Sequence, residues 1–167
     1  MKHIDIEQAL QDMVAGLRDL IQQRGIESPL MIGIHTGGVW VAEQLHERLQ
    51  LTEPLGSLDI SFYRDDFTRI GLHPEVKPSK LPSNVEDRHI ILIDDVLHTG
   101  RTIRAALNEI FDYGRPASIS LAVLVERDGR ELPIEASVVG LHVQLTESQH
   151  IKLEGPEHLQ LVVQEDA

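Results

Sequence analysis

The stretch that most constrains this chain is Ile90 to Thr102, IILIDDVLHTGRT. Four apolar residues, Ile90 to Ile93, run straight into two adjacent acids, Asp94 and Asp95. An unbroken apolar run of this length suits a strand buried on both faces, as in a parallel sheet. A short loop follows, Val96 to Gly100, and then a helix-like segment from Arg101 to Tyr113. Thr99 and Gly100 suit a helix start, because a side-chain oxygen or a bare backbone satisfies free N–H groups there. Strand, loop and helix in this order aim backbone N–H groups and a helix dipole beyond the strand end, which suits a phosphate.

The two acids narrow the kind of phosphate compound. Carboxylates repel phosphate, so they face another part of the ligand. The vicinal hydroxyls of a ribose are donors that two adjacent carboxylates can accept. A monophosphate loop beside such a diacid describes a ribose 5-phosphate site. The common nucleotide loops are absent, since nothing reads G-x-x-x-x-G-K-[ST] or G-x-G-x-x-G.

The rest of the chain supports an α/β fold, a mostly parallel sheet flanked by helices. Residues 4–24 place Ile6, Leu10, Met13, Val14, Leu17, Leu20 and Ile21 at helical spacing, and Gly25 suits the helix end. Residues 29–35 (PLMIGIH) suit a short buried strand. Thr36, Gly37 and Gly38 form a loop, and Val39 to Gln50 an amphipathic helix. This is a second strand–loop–helix unit, and such loops gather at the carboxyl ends of parallel strands, where ligands bind. Leu55 to Ser61, Ser118 to Val125, Ser137 to Val143 and Leu159 to Val163 suit further strands. Between them, about residues 62–84, lies an irregular excursion with Pro74, Pro78 and Pro82 and the cations Arg64, Arg69, Lys77 and Lys80. A long irregular segment inside a compact domain suits a flexible lid. The βαβ alternation, with no linker or repeat, predicts one domain over 1–167.

Composition removes several function classes. The chain has 167 residues, enough for one domain with a proper core. It has no cysteine, so disulfides and thiolate metal sites are excluded. None of the nine histidines has metal-ligand spacing such as H-E-x-x-H. A formal net charge of −12 argues against non-specific nucleic-acid binding, which depends on Lys and Arg neutralising phosphate. No apolar run approaches the ~18 residues of a membrane span, and MKHIDIEQAL has no signal-peptide core. A cytoplasmic protein is the simplest expectation.

The apolar strand, Asp-Asp and Thr-Gly-x-Thr together resemble the phosphoribosyl pyrophosphate (PRPP) motif of type I phosphoribosyltransferases. The resemblance runs further. GIHTGG, LGSLDISFYRDD, HPEVKPS, DDVLHTGRTIRAAL and GRPASISLAVLVERDGRELPI, over roughly residues 29–140, are similar to the PyrR family of bacterial pyrimidine-operon regulators that are also uracil phosphoribosyltransferases. The resemblance implies a type I phosphoribosyltransferase fold and transfer from PRPP to uracil N1, giving UMP and pyrophosphate. It implies that Val96, Leu97, His98, Thr99, Gly100, Arg101 and Thr102 grip the 5-phosphate, and that Asp94 and Asp95 hold the ribose hydroxyls. Thr36, Gly37 and Gly38 would take pyrophosphate, with Arg64 closing over it. Arg127 and Arg130 would lie near the base. Mg²⁺ would be bound through PRPP, with few or no direct protein ligands. A homo-oligomer is implied, and no membrane partner.

Three departures from the family pattern bear on function. Gly37 stands where many relatives carry an arginine, which removes a cation from the pyrophosphate loop. On sequence alone, Gly37→Arg is therefore expected to raise turnover. Asp12-Met13-Val14-Ala15 stands where RNA-binding relatives carry a Thr-Arg pair, and Leu141-His142 where they often show Lys-Asn. The last two, with the acidic charge, argue against RNA binding by the family's usual surface. A protein that senses UMP or PRPP with weak or no catalysis stays open beside the enzyme.

Overall fold

A computed structural model describes residues 2–60, 79–81 and 84–166. Its centre is a five-stranded parallel sheet in the order β3-β2-β4-β5-β6. The strands are β2 (Leu30–Ile34), β3 (Gly56–Leu58), β4 (His89–Leu97), β5 (Ser118–Arg127) and β6 (Val138–Val143). Three helices flank it: α1 (Glu7–Gln23), α2 (Gly37–Leu49) and α3 (Arg101–Tyr113). A second, antiparallel sheet of β1 (Lys2–Ile4), β8 (Gln160–Glu165) and β7 (Gln149–Glu154) lies in that order.

Alternation along the central strands sorts the core into two layers. Met31, Ile91, Ile93, Ala122 and Leu124 pack with Leu10, Met13 and Leu17 of α1 and Val41, Ala42 and Leu45 of α2. Leu30, Ile32, Ile34, Ile90, Leu92, Leu121 and Val123 pack with Ile103, Ala106 and Ile110 of α3. Both faces are thus covered, which is why these strands read as continuous apolar runs. The small sheet is not separate, since Ile151, Leu153 and Leu161 join the same layer as α1 and α2.

Helix α1 approaches β6 closely because Gly140 has no side chain. A Cβ there would stand 2.7 Å from the Leu124 carbonyl oxygen and 3.0 Å from that of Ala9. Neither main-chain atom can move without shifting its element. Gly140→Val should therefore cost about 1–3 kcal/mol of stability by overpacking, read as a lower denaturation midpoint in urea.

The sequence expectations hold for the parallel sheet and its flanking helices, with four differences. β4 does not stop at the acids. It runs through Asp94 and Asp95 to Leu97, because β5 continues beside it to the pair Leu97↔Glu126. α2 begins at Gly37, so both glycines belong to its first turn. β3 is only Gly56–Leu58, and Ser61 lies outside the described residues. β1 and β7 were not anticipated at all. Of the expected lid, Arg64, Arg69 and Lys77 lie outside the described residues, whereas Lys80 exchanges both backbone hydrogen bonds with Ser57 at 2.8 Å.

Beside that bridge sits a proton-sensitive contact. The Ser79 hydroxyl accepts from the Asp59 N–H at 3.0 Å and donates to Glu109 Oε1 at 2.5 Å. Among the described residues, Glu109 Oε2 is buried with no partner. Burial above all, with Asp59 and Asp112 nearby, raises the Glu109 carboxyl above its ordinary 4.5, against the Ser79 bond that lowers it. The folded state therefore holds this proton more tightly than the unfolded one. The associated stability is fully present below 4.5 and is lost as pH rises through the folded value. Glu109→Gln should flatten this pH dependence and raise the melting midpoint at pH 8 more than at pH 4. A midpoint change equal at both pH values would contradict it.

Candidate active site

The connections leaving β2 and β4 run to opposite sides of the sheet. From β2 the chain passes through α2 to β3, and from β4 through α3 to β5. Because β2 and β4 are neighbours, a crevice opens at their carboxyl ends, the usual ligand position in an open parallel sheet. α2 lies on one face and α3 on the other, and the N-termini of both open at this edge.

Asp94 and Asp95 sit at the floor of the crevice. Asp94 is 5% exposed, and its Oδ1 accepts the Asp95 N–H at 2.9 Å. Asp95 is half-buried, and its Oδ1 accepts the Val96 N–H at 2.8 Å. Each carboxylate is thus oriented by the main chain just beyond it. Gly37 and Gly38, just after Thr36, come directly over the acids. A Cβ on Gly38 would meet the Ile93 carbonyl oxygen at 2.8 Å and Asp94 Cα at 3.1 Å. A Cβ on Gly37 would overlap Asp95 Oδ2 and lie 2.8 Å from Asp95 Cγ. The two glycines let the first turn of α2 touch the diacid. The His35–Thr36 peptide at the head of this loop is cis.

On the other side, residues 98–102 enter α3. Gly100 is in the left-handed region, with φ +93, and the Thr99 hydroxyl accepts the Arg101 N–H at 3.1 Å. Leu97 is buried in the layer under α3, so it offers the crevice main chain rather than side chain. Thr99 and Thr102 are half-buried, and His98 and Arg101 exposed. Partial burial of its ring against the 127–130 turn, then the Arg127 guanidinium, hold the His98 imidazole below its ordinary value although the residue as a whole is exposed.

Arg127 and Arg130 lie against this loop. Arg127 is 8% exposed; its Nη1 donates to the Gln149 carbonyl of β7 at 3.1 Å, and its Nε is buried without an acceptor among the described residues. Arg130 donates to the His98 carbonyl at 2.5 Å and to Glu126 Oε1 at 2.7 Å. The Glu131 and Leu132 N–H groups both donate to the Thr99 carbonyl, at 2.9 and 3.1 Å, and Arg101 Nε to Glu131 Oε1 at 3.0 Å. Residues 130–132 therefore clasp the 98–101 loop from behind. Sequence reasoning missed this clasp. Its signal was the RELPI string, which was read as a family marker without a structural role.

Among the described residues no group of three or more His, Asp or Glu side chains could hold a metal ion, and no helix is long and apolar enough to cross a membrane. The donor set at the crevice is two acids with one oxygen each engaged by the main chain. It suits a divalent cation that arrives on a ligand's own oxygens better than one held by protein alone.

Comparison with known proteins agrees with this geometry. Residues 3–158 match the phosphoribosyl transferase domain family. The fold is similar to that of the hypoxanthine phosphoribosyltransferase of Trypanosoma cruzi, with a TM-score of 0.69 and 17% identity over 97% of this chain and 93% of that one. Fold, crevice and domain match together define the class, a phosphoribosyltransferase. Within it, the chain is 58% identical to the bifunctional protein PyrR of Nitrosococcus oceani, over 96% of this chain and 92% of that protein. It is 57% identical to the bifunctional protein PyrR of Pseudomonas paraeruginosa, over 89% and 88%. The chain belongs to the PyrR family.

Proposed function

We propose that this chain transfers ribose 5-phosphate from PRPP to uracil N1, releasing pyrophosphate and forming UMP. The observation that carries this reading is the pair Asp94–Asp95 set between two helix N-termini at the carboxyl ends of adjacent strands. A ligand with a phosphate at each end and a diol between them matches that order of charges. Residues 96–102 bind the 5-phosphate through main-chain N–H groups and the Thr99 and Thr102 hydroxyls. The acids accept the ribose hydroxyls, and they lie where a positive charge developing on the sugar ring is stabilised. Thr36, Gly37 and Gly38 face the pyrophosphate, whose departure breaks the C1–O bond. Arg64 closes over it in this reading. The Arg127 end of the 127–130 loop borders the base, whereas Arg130 braces the His98 carbonyl from behind. Mg²⁺ would be held through the oxygens of PRPP, where it would offset phosphate charge.

Gly37 favours a second reading. Without a cation in the pyrophosphate loop, binding of UMP or PRPP can outlast turnover, and the chain then acts as a pyrimidine sensor in transcription regulation. RNA binding ranks below both, given the charge of −12 and the acidic and apolar residues at 12–15. A cytoplasmic homo-oligomer of one-domain subunits fits either reading.

A steady-state assay with PRPP, Mg²⁺ and uracil, hypoxanthine, guanine or orotate separates them. Turnover with uracil alone is expected. Turnover with a purine base instead would overturn the base assignment. No turnover in protein that binds UMP would leave the sensor.

A further inference from the structure

Glu126 has no part in the reaction as described, yet it sits at the centre of a bonded chain that ends on the phosphate loop. It lies near the carboxyl end of β5 with its side chain 19% exposed. Oε1 accepts from Arg130 Nη2 at 2.7 Å, and Oε2 faces His142 Nδ1 of the edge strand β6 at 3.0 Å. With both carboxylate oxygens held, the plane of the group is fixed, and so is the guanidinium it grips. The other arm of that guanidinium, Nη1, holds the His98 carbonyl and lies 3.5 Å from the Arg127 carbonyl.

The consequence follows from peptide planarity. In a trans peptide the C=O of one residue and the N–H of the next point in opposite directions. Arg130 holds the His98 carbonyl, so the Thr99 N–H is aimed away from Arg130. The Glu131 and Leu132 N–H groups hold the Thr99 carbonyl, so the Gly100 N–H is aimed away from them. Two successive carbonyls are thus held from behind, and the two N–H groups that follow them are turned to the other side. Among the described residues neither of these N–H groups has an acceptor. Successive free N–H groups at a left-handed glycine make an anion-binding concavity.

We infer that Glu126 is a positioning residue for the 5-phosphate loop, acting through Arg130 on the His98–Thr99 peptide. This rests on the reading of residues 98–102 as the phosphate seat. Arg130 then serves the phosphate end of the ligand from behind the loop. Its effect falls on ligands that carry a 5-phosphate and spares those that do not.

The test is calorimetric titration of wild type, Glu126→Ala, Glu126→Gln and Arg130→Lys with UMP and with uridine, beside the KM values for PRPP and uracil. Wild type is expected to prefer UMP over uridine at least a hundredfold. In Glu126→Ala the UMP Kd and the PRPP KM should rise about tenfold, with the uridine Kd and the uracil KM within twofold. Glu126→Gln should show a rise of only about threefold, because its amide oxygen still accepts from Arg130. A role confined to stability would move the melting temperature and leave the UMP-to-uridine ratio as in wild type. That result overturns the proposal. A wild type that binds uridine as well as UMP overturns the phosphate seat itself, and is seen before any variant is made. If Glu126→Ala does not fold, Arg130→Lys decides. One ammonium cannot hold both the His98 carbonyl and Glu126 as the planar fork does, so the same selective loss is expected, and an unchanged ratio contradicts it.

Discussion

The double substitution Asp94→Asn with Asp95→Asn should abolish measurable binding of PRPP and UMP by calorimetry while the melting curve stays close to wild type. Two charge-assisted hydrogen bonds to ribose hydroxyls, at about 1.5–3 kcal/mol each, correspond to a loss of a hundredfold or more. The fold should survive because each asparagine keeps an oxygen in place. Asp94 Oδ1 accepts the Asp95 N–H, and Asp95 Oδ1 accepts the Val96 N–H. An amide oxygen makes both of those bonds. On sequence alone these acids gain nothing from packing, but Asp94 is buried at 5% exposure. Alanine, which leaves the Asp95 and Val96 N–H groups unsatisfied, is therefore the wrong control. Wild-type affinity in the double amide would remove the ribose site.

Gly37→Arg should lower PRPP binding and UMP formation by at least tenfold, the reverse of what the sequence led one to expect. The missing cation suggested that arginine would help the pyrophosphate leave. The structure places Asp95 Oδ2 where the Cβ of any residue at 37 would stand, with Cγ at 2.8 Å and Asp95 Cβ at 3.1 Å. Asp95 must swing away to admit the side chain, and with it goes a ribose ligand. Gly37→Ala should show most of the same loss, since the overlap begins at Cβ. Steady-state kinetics of the two variants separates the causes. A rate raised by arginine and unchanged by alanine would mean that Asp95 yields easily and that the charge prevails.

What was legible in the sequence was what local pattern controls. Ile90 to Ile93 gave a buried strand because both faces of a parallel sheet are covered, and the 3.6-residue spacing of Leu10, Met13, Leu17 and Leu20 gave α1. The glycine loop, the diacid and residues 96–102 were singled out as one candidate site, and the structure brings them to the carboxyl ends of adjacent strands. What stayed hidden depends on partners distant in the chain. β7, Gln149–Glu154, has only two apolar residues and becomes a strand by pairing with β8, which in turn pairs with β1 at the other end of the chain. The contact of Gly37 with Asp95 is also tertiary, and no residue near either position announces it. Arg127 and Arg130 were read as one charged loop, yet one is buried against β7 and the other braces the His98 carbonyl of the loop that enters α3. The run of letters does not distinguish them, because each is defined by what lies opposite.

In the proposed function, the end of β4 and the start of α3 form the seat of a ribose 5-phosphate. A crystal structure of the chain with UMP tests it most directly. The phosphate is expected within hydrogen-bond distance of the N–H groups of residues 98–102, including Thr99 and Gly100, and the ribose hydroxyls on Asp94 and Asp95. A phosphate seated instead on residues 36–38, or a nucleotide bound away from the two acids, would contradict it.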